Sequence, residues 1–144
     1  MRVFVAGLAA FIVMDAIWLG VLMTDFYQSQ LADIARTGPD GSLAPLWAAA
    51  IPVYLLVVLG VMWFVHPKSE SGVSAAAGWG ALFGIISFGI YDLTSLALLD
   101  GFSTTMAMVD IAWGGVVCAT VAVAMRMAAG RPVAAPDDSI PARI

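Results

Sequence analysis

Three aspartates lie inside apolar stretches of this sequence, where a carboxylate is chemically unusual. Asp92 and Asp110 flank a short turn near Gly101, and each lies about nine residues from it, or roughly 14 Å along an α-helix. The spacing predicts that both carboxylates lie at one depth. Asp15 interrupts the first apolar run in the same way. Because a charged group in hydrocarbon costs about 2.5 to 3.5 kcal/mol on insertion scales, each of the three is a candidate functional residue.

Two of these acids are followed by tryptophan at the same spacing. Asp15 precedes Trp18, and Asp110 precedes Trp113, so each acid and its indole share one helical face. Trp113 lies near the middle of its apolar run, where its indole N–H needs an acceptor that a carboxylate could supply. Trp18 fits either this role or that of an aromatic residue at the membrane interface.

Several kinds of chemistry suit such a cluster. Three carboxylates in a low dielectric cannot all ionise without cations, so we expect them to share a proton. That arrangement suits a general acid or base, a proton-coupled carrier, or a hydrogen-bonded core. The spacing is not typical of a metal site, and haem or di-iron chemistry needs more histidines than His66, so no metal or cofactor is predicted. The candidate catalytic residues are Asp92, Asp110 and Asp15, and the candidate ligand-binding residues are Trp18, Tyr27, Tyr54, Tyr91, Thr94 and Trp113.

The composition indicates an integral membrane protein. The chain has 144 residues, of which 62% are hydrophobic and 11% charged. A soluble domain of this size would have about a quarter of its residues charged. The net charge of −4 comes without a basic surface, which argues against a nucleic-acid partner. Cys118 is the single cysteine, so an intrachain disulfide is excluded.

Four apolar runs are each long enough to cross the hydrocarbon layer, which needs about 20 residues. The predicted fold is therefore all-α, an integral membrane four-helix bundle with a short interfacial helix between the first two spans. Asp15 interrupts the first run and no good cleavage site follows it, so we interpret that run as a span and not a signal peptide. The membrane domain covers residues 1–127, with spans at about 3–23, 43–65, 73–99 and 104–127, and residues 128–144 are predicted to be a disordered cytoplasmic tail.

The connecting segments carry further signals. Residues 24–36 have apolar side chains at roughly helical spacing, which predicts an amphipathic helix in the interface or a lid with Tyr27 pointing into a pocket. A turn is predicted at residues 38–41, Pro45 is expected in the first turn of the second span, and Pro52 is expected to kink that span near Tyr54.

The third span carries a small-xxx-small step. Gly80 and Gly84 lie one turn apart, so another helix can approach closely, and a homodimer through this face is one expectation. The basic residues fix the expected orientation, because all but Arg36 fall on one side of a four-span topology. By the positive-inside rule both termini are cytoplasmic, and the three acids lie roughly 9 to 12 Å below the outer surface. The residues on the cytoplasmic side are Arg2, Lys68, Arg126, Arg131 and Arg143.

Three motifs occur in order: Asp15-x-x-Trp18-Leu19-Gly20, Tyr91-Asp92-Leu93-Thr94, and Asp110-x-x-Trp113-Gly114. From Val3 to Met127 the chain resembles a bacterial family of four-helix membrane proteins known as domain of unknown function 2177. The family commonly has Asn after its Tyr-Asp-Leu-Thr run, where this chain has Ser95. The resemblance implies a multi-pass protein of the bacterial inner membrane, four helices and no established reaction. The resemblance also implies a genetic setting near genes for fatty-acid and phospholipid modification, which favours a lipid role only slightly.

These observations predict a protein that binds or helps modify a membrane lipid or amphiphile through a carboxylate and aromatic pocket near the outer leaflet. Asp92 and Asp110 would handle protons or bind the ligand, with Asp15 as their partner. Two alternatives stay open. One is a small proton-coupled carrier, and the other is a structural or accessory subunit whose acids only hold the bundle together. The sequence does not decide whether the protein is an enzyme.

Overall fold

Helices make up most of the part of the chain that the structure describes. The structure is a computed structural model, and it describes residues 1–31 and 34–130. Within these ranges the helices are joined by turns and by one isolated β-bridge between Thr37 and Leu43.

Four helices among the described residues are long and apolar enough to cross a membrane. Their mean hydropathy lies between 1.7 and 2.4. This confirms the prediction of an all-α four-helix membrane bundle. In chain order the helices are α1 (Arg2–Ile17), which continues through a π-helical turn (Trp18–Leu22); α2 (Thr24–Leu31), a short helix outside the spans; α3 (Trp47–Gly60), which continues through a π-helical turn (Val61–Val65) and a 3₁₀ turn (His66–Ser69); α4 (Val73–Leu98); and α5 (Thr104–Ala129).

The second spanning helix begins later than the apolar run. It starts at Trp47 instead of near Leu43, so Pro45 lies before the helix and not in its first turn. Leu46 is the N-cap and has an extended backbone, with ψ of 96°, so the helix begins at the next residue. The helix then continues through Pro52 to Gly60.

A tight turn precedes this helix, at the position predicted from the Gly-Pro-Asp-Gly sequence. Gly41 has φ of 78°, a left-handed backbone that glycine adopts without strain. The Asp40 carboxylate accepts hydrogen bonds from the backbone N–H and the hydroxyl of Ser42. The bond from the Ser42 hydroxyl is the main cause that lowers the pKa of Asp40, and its backbone N–H adds to the effect.

Helices α4 and α5 form the closest pair in the bundle. Gly80 and Gly84 lie on the contact face of α4, and both are buried. A Cβ atom at Gly80 would lie 2.6 Å from the carbonyl oxygen of Cys118, and one at Gly84 would overlap the carbonyl oxygen of Gly114. The absence of side chains therefore lets the two backbones touch, as the small-xxx-small spacing predicts for a helix pair.

This packing bears on the expected dimer. The Gly80 and Gly84 face is covered by α5 of the same chain. A homodimer through that face would have to displace α5 from the core of the bundle. The homodimer itself stays a prediction. In the structure the Gly80 and Gly84 face contacts α5 of the same molecule.

Two predicted segments extend beyond the described residues. The interfacial helix was expected over residues 24–36, and α2 ends at Leu31, just before the two residues that the structure does not describe. The tail was expected to begin at Ala128, but α5 continues to Ala129 and Gly130 follows it with φ of 78°. The predicted disorder of residues 131–144 lies outside the described residues.

Candidate functional site

Asp15 links three spanning helices near the end of α1. One of its oxygens accepts a hydrogen bond from the Tyr54 hydroxyl on α3. The other accepts from the Trp113 indole on α5, at 3.4 Å between Nε1 and Oδ1. Trp113 was predicted to need a carboxylate acceptor, and this carboxylate belongs to α1 instead of to its own helix. Asp15 is therefore a half-buried acceptor with a donor at each oxygen.

The two tryptophans of the Asp-x-x-Trp motifs stack on each other. Their ring centroids are 4.3 Å apart and their planes differ by 3°. Trp18 begins the π-helical turn of the first span, and its indole N–H donates to the Tyr27 hydroxyl at 3.2 Å. Tyr27 in turn donates to Asp110. The tryptophan of each motif is thus linked to the aspartate of the other motif. Trp113 donates a hydrogen bond to Asp15, and Trp18 is connected to Asp110 through the Tyr27 hydroxyl.

We call this set the polar network, and it consists of six side chains from four helices: Tyr54, Asp15, Trp113, Trp18, Tyr27 and Asp110. It has two hydrogen-bonded halves, one around Asp15 and one around Asp110, which are joined by the stacked indoles. Buried polar groups that are satisfied in this way rigidify a fold and fix the rotation of each helix.

Tyr27 enters the network because α2 folds over the end of the bundle. The side chain is only 5% exposed, and it packs with Phe102, Met106 and Ala107 in a small apolar core. Gln30 on the same helix accepts a hydrogen bond from Ser103, the N-cap of α5. Burial is the main cause that raises the pKa of the Tyr27 phenol, and its hydrogen bond to a carboxylate adds to the effect. Tyr27 points inward, as the lid hypothesis required, while a lid function stays a prediction.

Asp92 differs from the other two acids. It is 0% exposed, on the inner face of α4, yet no described residue donates a hydrogen bond to either of its oxygens. Gly80 faces Cys118 and Gly84 faces Gly114 where α4 and α5 pack, and this register places Asp92 within about one helical turn of the level of Asp110. An unpaired buried carboxylate is costly, and such groups are rare in folded proteins. Among the described residues Asp92 therefore has no hydrogen-bond partner, whereas the neighbouring members of the polar network each have one.

Two candidate residues lie away from this cluster. Tyr91 is 62% exposed, and Thr94 is also exposed. Both adjoin Asp92 on α4, but a helix turns by about 100° per residue, so neighbours in sequence face different directions. The structure thus brings together Asp15, Trp18, Tyr27, Tyr54, Asp110 and Trp113, sets Asp92 beside them, and leaves Tyr91 and Thr94 on the outer face.

A groove runs along that outer face, and we call it the α4 groove. It has a volume of about 620 Å³ and is lined by residues of α4 between Ile85 and Leu98, among them Gly89 and Thr94. Gly89 lies one turn before Asp92, and a Cβ atom placed there would have no described heavy atom of its surroundings within 4 Å. Sequence reasoning missed this groove, because its lining is almost entirely aliphatic and Gly89 is one of four glycines on the same helix.

The donor set also bears on metal binding. Among the described residues, no group of three or more His, Cys, Asp or Glu side chains is arranged to hold a metal ion. Asp15 and Asp110 instead accept hydrogen bonds from hydroxyl and indole groups. The arrangement favours ligands that donate hydrogen bonds over ligands that need several carboxylates around one centre.

Four apolar helices around a polar network define an integral, multi-pass membrane protein of the helical-bundle class. The chain belongs to the family described as "Predicted membrane protein (DUF2177)", whose model matches residues 1–127. Its membership agrees with the resemblance carried by the three sequence motifs. No curated protein and no solved structure matches the chain.

Proposed function

We propose that this protein binds, and helps to modify, a membrane lipid or amphiphile at a site formed by Asp92 and Asp110. The observation that carries the proposal is Asp92, which is fully buried and has no donor among the described residues. Leaving a buried polar group unpaired costs about 1–3 kcal/mol or more. A ligand whose head group donates hydrogen bonds to Asp92 would recover that cost. Binding is the activity proposed first, and a chemical step would follow on the bound ligand.

The α4 groove supports a ligand with an apolar part. Its volume of about 620 Å³ falls within the 300–1,000 Å³ of typical small-molecule sites. Its lining is aliphatic for most of its length, and it passes Gly89 close to Asp92. A hydrocarbon tail in the groove with a polar head turned toward Asp92 matches this combination of surfaces.

The polar network has a positioning role in this proposal. Asp110 would face the ligand with one carboxylate edge, since its other oxygen already accepts from Tyr27. Asp15 would hold Trp113, and Tyr54 would hold Asp15. The aromatic residues would then form the wall of the site behind the two acids. Asp92 and Asp110 would transfer the protons.

The proposed location is the bacterial inner membrane, with both termini in the cytoplasm. Arg2, Lys68 and Arg126 lie at one end of the bundle in this topology, while Arg36 lies at the other. The positive-inside rule then assigns the first three to the cytoplasm. Helix α2 and the turn between α4 and α5 would face outward, so the site would open toward the outer leaflet.

The test is lipid mass spectrometry on whole cells that carry the wild-type gene, a deletion, Asp92→Asn, or Asp92→Asn combined with Asp110→Asn. We expect one lipid species to disappear in the deletion and in both variants at normal protein level. Asp100→Asn is the matched control, because Asp100 is an exposed acid in the turn after α4 and should leave the lipids unchanged. Unchanged lipids in every strain would overturn the modifying role.

The structural alternative makes a different prediction for the same variant. If Asp92 only held the bundle together, Asp92→Asn would lower the melting temperature and change no lipid. In the binding proposal the substitution removes an unpaired buried carboxylate, so the melting temperature of the purified protein should stay equal or rise. A clear fall in melting temperature without any lipid change would favour the structural subunit.

A proton-coupled carrier is the second candidate, and the observation that supports it is the register of α4 and α5, which places Asp92 and Asp110 within about one helical turn of one level. Two carboxylates at close range titrate as a pair and can exchange one proton. A carrier must expose this pair to both sides of the membrane in turn. Cysteines at positions 92 and 110 would then react with impermeant reagents from either side, whereas labelling from one side alone would exclude a carrier.

A further inference from the structure

We infer that the head group recognised at Asp92 carries a primary ammonium, so that the preferred ligand is an amine-bearing lipid. The inference rests on the proposed function and names its ligand class. It follows from the hydrogen-bonding deficit at Asp92, the charge of the surrounding site and the access along Gly89.

The hydrogen-bonding deficit calls for N–H or O–H donors. Both oxygens of Asp92 lack a donor among the described residues, and one oxygen of Asp110 is occupied by Tyr27. A primary ammonium has three N–H donors, enough for both oxygens of Asp92 and one contact to Asp110. A quaternary ammonium has no N–H and would leave the same oxygens unpaired.

The charge of the site selects against an anionic head. Asp15, Asp92 and Asp110 all lie in this part of the bundle, and the basic side chains of the described residues are engaged or located elsewhere. A cation would be stabilised by the carboxylates, and a charge-assisted hydrogen bond is about twice as strong as a neutral one. The described basic residues are Arg2 at the start of α1, Arg36 in the loop after α2, Lys68 over the Trp79 ring, and Arg126 on the carbonyl oxygens of Ser69 and Gly130.

The α4 groove lies beside the buried carboxylate, although Asp92 itself does not line it. Gly89 lines the groove one turn before Asp92, and the space where its side chain would stand is open. In the inferred complex the tail lies in the groove, and the ammonium occupies the space beside Gly89, one helical turn from Asp92. A leucine at position 89 would fill the gap and leave every member of the polar network in place.

The experiment compares three lipids with identical acyl chains, namely phosphatidylethanolamine, phosphatidylcholine and phosphatidylglycerol. The full-length wild-type protein is purified in detergent, mixed with equal amounts of the three, and the retained lipid is quantified by native mass spectrometry. All three share the phosphate, so the comparison isolates the head-group amine. We expect the protein to retain at least about tenfold more phosphatidylethanolamine than either competitor. Phosphatidylcholine and phosphatidylglycerol have no ammonium N–H, so they cannot form the charge-assisted hydrogen bonds to Asp92.

Three variants test whether the preference for phosphatidylethanolamine depends on Asp92 and the α4 groove. Asp92→Asn should reduce the preference to about twofold or less, Gly89→Leu should reduce retention of all three lipids, and Asp100→Asn should match wild type. Equal retention of the three lipids by wild type, or a preference for phosphatidylcholine or phosphatidylglycerol, would overturn the ammonium inference while lipid binding stands. Retention of none of them would overturn the inference together with the proposed lipid binding. Because the wild-type comparison decides the inference, a variant that fails to fold does not remove the test.

Discussion

At the scale of single residues, Tyr27 connects the two halves of the site. Its hydroxyl accepts from the Trp18 indole and donates to Asp110, so one oxygen satisfies two groups on two other helices. It is also the buried side chain that α2 places against the bundle. Loss of this single oxygen should therefore affect stability more than its size suggests.

Tyr27→Phe tests that role directly. The ring remains to fill the space, while the donor to Asp110 and the acceptor for Trp18 are lost. Side-chain hydrogen bonds in membrane proteins average about 0.6 kcal/mol with a maximum near 1.7, so we expect the free energy of unfolding to fall by about 1–2 kcal/mol. The measurement is reversible unfolding in mixed micelles, followed by circular dichroism.

Tyr91→Phe is the matched control for that measurement. Tyr91 is exposed on the outer face of α4 and makes no hydrogen bond within the described residues. Its substitution should change the free energy of unfolding by less than about 0.5 kcal/mol, as is usual for surface sites. Equal losses in the two variants would contradict the assignment of Tyr27 to the polar network.

The residues of the site were predictable to different degrees. The sequence indicated that Asp15, Asp92 and Asp110 lie in apolar helices and that Trp113 needs an acceptor. It could not indicate that the acceptor is Asp15, because that pairing depends on how α1 and α5 are rotated about their axes. The unpaired state of Asp92 was equally hidden, since it depends on which side chains the other helices turn toward it.

At the scale of helices, the contact between α4 and α5 depends on glycine. Gly84 and Gly114 lie where the two backbones meet, and Phe88 packs on Gly114. A larger side chain at this contact would separate the helices along their length. Gly78 lies on the same helix, but a Cβ atom there would meet no described heavy atom of its surroundings within 4 Å.

Gly84→Ala and Gly78→Ala therefore form a pair with opposite expectations. The added methyl group at position 84 overlaps the α5 backbone, and overpacking of this kind typically costs about 1–3 kcal/mol. At position 78 the methyl group is free of contacts, and alanine is favoured over glycine in a helix by about 0.8–1.0 kcal/mol. Unfolding in mixed micelles should show a loss for Gly84→Ala and no loss for Gly78→Ala. A loss at position 78 would mean that this face is covered in the folded protein.

The helices themselves were largely predictable. Spans of about 20 apolar residues indicate four helices without further information, and the Gly80 and Gly84 spacing indicated a close helix contact. The sequence did not determine which helix packs on this face, because the same glycine spacing fits a helix of the same chain and a helix of a second copy. The start of α3 was misplaced by about four residues, since the apolar run continues through Ala44 and Pro45 while the helix begins only after the extended residue Leu46.

At the scale of the whole molecule, the site lies toward one end of the bundle, and this asymmetry has a consequence for function. The polar network joins the C-terminal part of α1 to the N-terminal half of α5, and α2 covers it. The opposite end has the basic residues Lys68 and Arg126, which contact Trp79 and Ser69. If the proposed lipid binding is correct, the orientation of the bundle therefore decides which leaflet supplies the ligand.

The proposed orientation can be tested with single cysteines, because Cys118 is fully buried and should not react. Asp100→Cys lies in the exposed turn at the network end, and Ser71→Cys lies in the exposed loop at the basic end. In spheroplasts an impermeant maleimide should label Asp100→Cys at once and Ser71→Cys only after permeabilisation, because basic residues are retained in the cytoplasm. The reverse pattern would place the network end inside and make the inner leaflet the source of the ligand. Labelling of both positions without permeabilisation would contradict the four-span topology, since the two loops would then share one side of the membrane.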